Sequence, residues 1–213
     1  MNATQLLVLA KAPLPGRVKT RLCPPCTPGQ AAAVAEAALA DTLAAGRAAP
    51  CVRRTVVLSG TYPVPEGWHA VQQRGVGLGQ RLANAFVDTA RPGLTSLLIG
   101  MDTPQVTADL LGAVAAALDR ADAVLAPAVD GGWWALALRD PAAAGVLCGV
   151  PMSRPDTGAR TAEALAGLGL SVAEGPVLRD VDTAADAWMV AREVPSGRFA
   201  RAVHAHVPVG AAA

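Results

Sequence analysis

The residues best suited to chemistry stand in one early stretch, Leu6 to Leu22, with sequence LLVLAKAPLPGRVKTRL. It holds both lysines of the chain, Lys11 and Lys19, together with Arg17, Arg21 and Gly16, and every other basic side chain apart from three histidines is arginine. Lysine is a compact point charge and arginine a planar fork, so the choice of lysine here is informative. Four cations after an apolar run and ahead of a capped helix suit phosphate oxygens, although a merely solvated basic loop would read similarly. A loop lysine is not expected in a core. Removing Lys19 is therefore expected to cost about 1.5–3 kcal/mol of nucleotide affinity and to spare the fold.

Two acidic segments could complement that loop. Asp102 follows the apolar run and glycine of LLIGMDTPQ, where a carboxylate could ligate a hard divalent cation or form an Asp-Thr-Pro turn. In Leu178–Thr183 the alternating Asp180 and Asp182 face one way if the backbone is extended, and could complete a metal site with Asp102. Asp182 or Thr183 could equally cap the next helix. An oxygen-only set favours Mg²⁺ or Mn²⁺ over Zn²⁺.

Two glycine-rich segments are candidates for ligand contact. In Gln72–Arg81 the glycines, Gly79 among them, let backbone approach a ligand, Gln73 offers an amide to a base edge, and Arg81 could reach a phosphate. In Pro127–Trp134, Asp130-Gly131-Gly132 reads as a hairpin turn or, with Trp133 and Trp134, as an apolar wall with one polar group. Neither the Gly-x-x-x-x-Gly-Lys phosphate loop nor the Gly-x-Gly-x-x-Gly dinucleotide fingerprint occurs here. Cys23 and Cys26 form a C-x-x-C pair, but no second pair or finger-spaced histidines follow, so an incidental pair is expected rather than zinc or redox chemistry.

With 52% hydrophobic residues, 213 positions can bury one sizeable core, and the net charge of +1 excludes bulk attraction to nucleic acid or an anionic membrane. Aromatic content of 3% leaves no stacking platform for single-stranded nucleic acid. No apolar run is long enough to span a bilayer, no basic segment precedes the first apolar stretch, and the four cysteines fit a reducing compartment, so a cytoplasmic protein is expected.

Short apolar runs alternate with alanine-rich amphipathic segments, the signature of an α/β fold with a mostly parallel sheet. Strands are predicted at Gln5–Leu9, Thr55–Ser59, His69–Gln72, Ser96–Gly100, Ala123–Pro127, Trp133–Leu138 and Leu170–Ala173. Helices are predicted at Pro28–Ala45, Leu78–Ala90, Ala108–Arg120, Pro141–Leu147, Thr157–Leu168 and Ala184–Glu193. Thr27 opens a capping box, Thr107 and Thr183 read as N-caps, and Gly46 and Gly167 stand where helices should stop. One domain, residues 1–194, is expected, followed by a tail, 195–213, that frays. In such sheets ligands bind beyond the carboxyl ends of strands, where all the segments above would lie.

The motifs AKAPLPGRVKTRL, Gly75–Arg81, GMDTPQ, DGGWWALAL and DVDTAAD, in that order between about Leu6 and Ala191, resemble a bacterial glycosyltransferase-A-like family known mostly as a domain of unknown function. Some of its members are assigned as arsenosugar-biosynthesis glycosyltransferases. More distantly the chain is similar to molybdenum-cofactor and phospholactate guanylyltransferases. The resemblance implies a single-domain, Rossmann-like three-layer sandwich of the nucleotide-diphospho-sugar transferase (GT-A) type. It implies a nucleotide held by the first loop, from Ala10 through Arg21, with Asp102 and Asp182 as metal ligands. Trp133-Trp134 replaces the family's tyrosines and Pro151-Met152-Ser153 its Trp-Ser-Thr pattern, both on the acceptor side. The expected activity is a Mg²⁺- or Mn²⁺-dependent glycosyl transfer from a nucleotide-sugar. In it the four first-loop cations hold phosphates, Asp102 with Asp180 or Asp182 holds metal, Asp130 and Ser153 orient the acceptor, and Asp130 is the candidate base. Nucleotidyl transfer to a phosphorylated small molecule, or nucleotide binding by a non-catalytic regulator, are the alternatives.

Overall fold

The computed structural model describes residues 3–209. Its first strand, β1 (Thr4–Lys11), sends Leu6 and Val8 into one apolar layer and Leu7 into another, as the two-residue period of a strand requires. Chain order continues α1 (Pro28–Ala48), β2 (Arg53–Ser59), β3 (His69–Gln72), α2 (Gly77–Thr89), β4 (Thr95–Gly100) and α3 (Ala108–Ala117). It closes with β5 (Ala123–Pro127), β6 (Trp133–Leu138), α4 (Thr157–Ala166), β7 (Val172–Glu174), α5 (Ala184–Glu193) and α6 (Arg198–His206). The seven strands form one sheet in the order β3-β2-β1-β4-β6-β5-β7, parallel except for β6.

Helices α1 and α3 cover one face of the sheet, with Leu39, Leu43, Leu111 and Val114 against Leu6, Val8, Val56, Leu97 and Ile99. On the other face Leu82, Phe86 and Leu165 meet Leu7, Val57, Leu98, Leu136 and Leu138. This is the α/β fold with a mostly parallel sheet that the alternating pattern predicted, arranged as the single three-layer domain that the resemblance implied. Thr27 and Gln30 make a reciprocal capping box at α1, Thr183 and Asp186 another at α5, and Thr107 caps α3.

Four expectations change. Gly46 does not end α1 but lies inside it, because a methyl there would stand 2.7 Å from Leu6 and 2.9 Å from Trp68, so the helix needs glycine to sit close to the sheet. Residues Pro141–Gly149 form a 3₁₀ rather than an α-helix, and the buried pair Ala144 and Leu147 keeps its three-residue period. The α3 segment ends at Ala117, three residues short of the predicted Arg120. The C-terminal segment does not fray over Arg198–His206. It is α6, whose Phe199, Ala200 and Val203 are buried with Val34 and Ala38 of α1 and Val190 of α5. Gly197 also opens that helix against Asp41, whose Oδ2 accepts from the Phe199 N–H at 2.8 Å. Among the described residues no helix is long and apolar enough to cross a membrane.

Candidate functional site

Strands β2 and β3 follow β1 outward on one side, while β4 returns to its other side. The connections that leave the carboxyl ends of these two paired strands therefore run in opposite directions, which in an open parallel sheet leaves a crevice for ligand. A cavity of about 760 Å³ opens there. Because β6 runs antiparallel to β4 and β5, its first residues, Trp133 and Trp134, reach the same edge. The cavity is lined by Ala10, Lys11, Arg17, Lys19, Arg21, Gln73, Arg81, Asp102, Asp130, Gly132, Trp133, Ser153, Asp180 and Asp182. Of the residues singled out in the sequence, Gly16, Gly79 and Gly131 do not line it.

The first loop is held by two buried apolar anchors, Val18 in the main core and Leu22 against α1 and α5. Between them the chain makes a short 3₁₀ turn, Thr20–Leu22. Lys11 and Arg17 are exposed, and neither makes an ion pair among the described residues. Arg21 pairs with Asp182 at 2.8 Å. Lys19 departs from expectation: its side chain is 5% exposed, its ammonium stands 2.5 Å from Asp102 Oδ1 and it also donates to the carbonyl of Val181. It is a buried, bridging cation, so its removal bears on the fold as well as on ligand.

The acidic loops are stitched together by backbone. The Val181 N–H donates to the Asp102 carbonyl at 2.9 Å, and Gln105 Nε2 donates to the Arg179 carbonyl at 2.7 Å. On the other side, the Lys11 N–H donates to Met101 Sδ at 3.3 Å and holds the turn before Asp102 against β1. Asp180 makes no hydrogen bond among the described residues. Burial, then the neighbouring charges of Asp102, Asp130 and Asp182, raise its carboxyl to about 7, while Lys19 pulls the other way. A carboxylate so placed gains from any further cation, and its neighbours are hard oxygen donors, which fits Mg²⁺ or Mn²⁺. Among the described residues no three acidic groups converge on one coordination point. Asp182 pairs with Arg21 on the exposed rim. Two carboxylates, Asp102 and Asp180, fit a cation that takes its remaining ligands from phosphate and water.

Two of the glycines read as ligand contacts, Gly79 and Gly131, are packed against other backbone. A methyl on Gly79 would collide with the Leu147 carbonyl, so this residue lets α2 lie against the 3₁₀ segment. Gly131, at φ +87, would collide with the Pro155 carbonyl, and its own carbonyl accepts from the Gly158 N–H at 2.8 Å. The Asp130 turn is thereby clamped to the start of α4. Asp130 Oδ1 accepts from the Gly132 N–H at 2.8 Å while the residue stays exposed at the cavity. Gln73 spends its amide nitrogen on the carbonyls of Ala10 and Val57, tying the ends of β1 and β2 together and leaving its carbonyl oxygen for any other partner. Arg81 reaches the Gly75 carbonyl at 3.3 Å.

The tryptophans divide their roles. Trp134 is 2% exposed and donates to the Pro176 carbonyl, whereas Trp133 is half-buried on the wall and donates to Thr161 Oγ1. Gly77 and Met152, which belong to segments the sequence singled out, line the cavity, and so do Arg154 and Thr157, which sequence reading missed. Met152 packs on the Gly79 position, which brings Ser153 and Arg154 beside the start of α2. The signal available was the position of Arg154, next to Ser153 and just ahead of a helix. Cys26 is buried against α1 and α6, and burial, with Cys23 beside it, pushes its thiol up, away from thiolate reactivity.

This architecture has solved counterparts. The chain is similar to a candidate nucleotide-diphospho-sugar transferase from Desulfovibrio desulfuricans G20, at 25% identity over 96% of this chain and 94% of that one, with a TM-score of 0.83. Rv0371c from Mycobacterium tuberculosis H37Rv, solved in complex with manganese, shares the fold at 22% identity over 88% of this chain and 98% of the other, TM-score 0.54. So does the 2-C-methyl-D-erythritol 4-phosphate cytidylyltransferase of Thermus thermophilus, at 16% identity over 89% and 97%, TM-score 0.55. No curated protein matches the chain. The fold is the nucleotide-diphospho-sugar transferase type implied by the motifs, and residues 30–154, which include the second glycine-rich segment, Asp102 and Asp130, match a family described as an uncharacterized protein conserved in bacteria: the chain belongs to the DUF2064 family.

Proposed function

We propose that this chain is a metal-dependent transferase that binds a nucleotide-sugar and passes its glycosyl group to a small-molecule acceptor. The observation that carries the reading is that a cationic loop and a set of carboxylates from separate strand ends share one cavity at the sheet's switch point. Lys11 and Arg17, which have no ion-pair partner among the described residues, meet the phosphate oxygens. The amides at the start of α2, where no side chain caps the helix, add donors for the same anion. Asp102 and Asp180 hold Mg²⁺ or Mn²⁺, which when bound offsets the charge of the leaving diphosphate. The manganese complex of Rv0371c supports that choice of metal. Asp130 and Ser153 orient the acceptor hydroxyl, Asp130 is the candidate base, and Trp133 offers a flat apolar face to a sugar ring.

The purified chain with Mn²⁺ and a panel of nucleotide-sugars tests this. Release of nucleoside diphosphate, lost in Asp102→Asn, is the expected result; no release with any donor or acceptor removes the glycosyl-transfer reading.

One observation favours a second reading, nucleotidyl transfer. Arg81 and Arg154 line the cavity beside the starts of α2 and α4, neither of which has a side-chain cap, and such a wall suits an anionic acceptor. Pyrophosphate release from a nucleoside triphosphate with a phosphorylated small molecule would replace the first reading with this one.

A further inference from the structure

Lys19 combines features that phosphate binding alone does not require. Its backbone adopts the left-handed region, φ 48, which side-chain-bearing residues avoid. Its side chain is 5% exposed although it sits in a loop at the cavity. Val18 and Leu22, buried on either side, fix the loop so that this side chain turns inward. The ammonium then meets a carboxylate oxygen of Asp102 at 2.5 Å and the carbonyl oxygen of Val181, the residue that follows Asp180. Lys19 is the cation that acts on Asp180 as well as pairing with Asp102, while Arg21 is engaged with Asp182 on the exposed rim. One carboxylate and one carbonyl oxygen are the donor types that a hard divalent cation takes.

We infer that Lys19 occupies the divalent cation's place while no nucleotide is bound, so that the site rejects the free ion and admits it with nucleotide phosphate. This rests on the nucleotide reading above. The physical sequence is an exchange of partners. A lysine ammonium has three rotatable donors on a flexible stem, so incoming phosphate oxygens can take it over without moving the anchored loop. Asp102 is then released to ligate the metal, while the displaced positive charge stays close to the phosphates. Lys19 is in this sense a residue that sets which form of the metal is accepted.

Mn²⁺ alone is the probe, titrated by electron paramagnetic resonance or calorimetry into the wild-type chain, Lys19→Met and Lys19→Gln, each checked for native circular dichroism. With no nucleotide, the variants are expected to bind Mn²⁺ tighter than wild type by about tenfold or more, since a unit charge beside the ion has been removed. A lysine that merely braced two loops would give the opposite sign, so equal or weaker binding in a folded variant overturns the inference. If neither variant folds, wild type decides. Mn²⁺ affinity that rises on adding ADP, CDP, GDP or UDP supports the exchange, and affinity that is already high and does not change overturns it. Tighter Mn²⁺ binding in the variants with no response of wild type to any of these nucleotides supports the placeholder and removes the nucleotide reading instead.

Discussion

The backbone N–H of Val181 donates to the carbonyl of Asp102, and this one bond fixes two acidic loops, distant in sequence, in a single register. Gln105 adds a second stitch through the Arg179 carbonyl. Asp180 lies between the two stitches and is carried into the cavity without a hydrogen-bond donor among the described residues. Its position is costly in the absence of ligand, and that cost has a pH dependence.

The carboxyl of Asp180 titrates near 7 in the folded chain, above its ordinary value, so the folded state binds the proton more tightly than the unfolded one. Stability is therefore highest below the unfolded value of about 4 and falls as pH rises through about 7. Asp180→Asn removes the charge and with it the fall. In metal-free buffer at pH 8 the variant is expected to be more stable than wild type by about 1–3 kcal/mol, with the gain shrinking toward pH 5. Urea unfolding at both pH values measures it, and a gain that does not depend on pH would contradict the raised titration.

Removing Arg17 separates phosphate binding from folding, which removing Lys19 cannot. Arg17 is exposed and unpaired among the described residues. Arg17→Ala is expected to weaken nucleoside diphosphate binding by about 1.5–3 kcal/mol, the worth of a charge-assisted hydrogen bond, and to leave stability within about 0.5 kcal/mol. Calorimetric titration and a thermal melt read the two quantities, and unchanged affinity would take Arg17 out of the site.

Much of this was legible in the chain. Runs such as Leu6–Leu9 and Ser96–Gly100 are short, apolar and followed by polar loops, so their ends were marked as ligand positions before any neighbour was known. The threonine caps need local chemistry alone and emerged at Thr27, Thr107 and Thr183. What sequence could not supply was the identity of the opposite surface. Gly79 and Gly131 carry the same local signal as glycines that approach a ligand, but Leu147 and Pro155 face them. Lys19 reads as a free loop cation because Asp102 and Val181, which meet its ammonium, are remote from it in sequence. Helix α6 was missed for the same reason: its apolar residues are few, and the surface they cover belongs to α1 and α5.

Gly131 offers a direct check of that packing account. Alanine there is strained at φ +87 and meets the Pro155 carbonyl, so the turn and the start of α4 must part. Gly131→Ala is expected to destabilise the chain by about 2–4 kcal/mol even with no ligand present. A melt at the wild-type temperature would return the glycine to the role of ligand contact.

The tryptophan pair separates the two transfer chemistries. Both tryptophans border the cavity, but Trp134 is 2% exposed and hydrogen-bonded to Pro176, so it should report mainly on the core, whereas the half-buried Trp133 should report on what fills the cavity. A sugar ring presents a flat apolar face to Trp133, and a small phosphorylated acid does not. A nucleotide-sugar is therefore expected to change tryptophan fluorescence beyond the change given by the matching nucleoside diphosphate. Trp133→Phe is expected to abolish that extra change. Trp134→Phe is expected to keep it while costing about 1–3 kcal/mol of stability through the lost buried hydrogen bond and volume. Trp68 and Trp188 contribute a constant background, since neither lines the cavity. Spectra that are identical for nucleotide-sugars and nucleoside diphosphates, combined with pyrophosphate release from a triphosphate, would shift the assignment to nucleotidyl transfer, with Arg81 and Arg154 receiving the anionic acceptor.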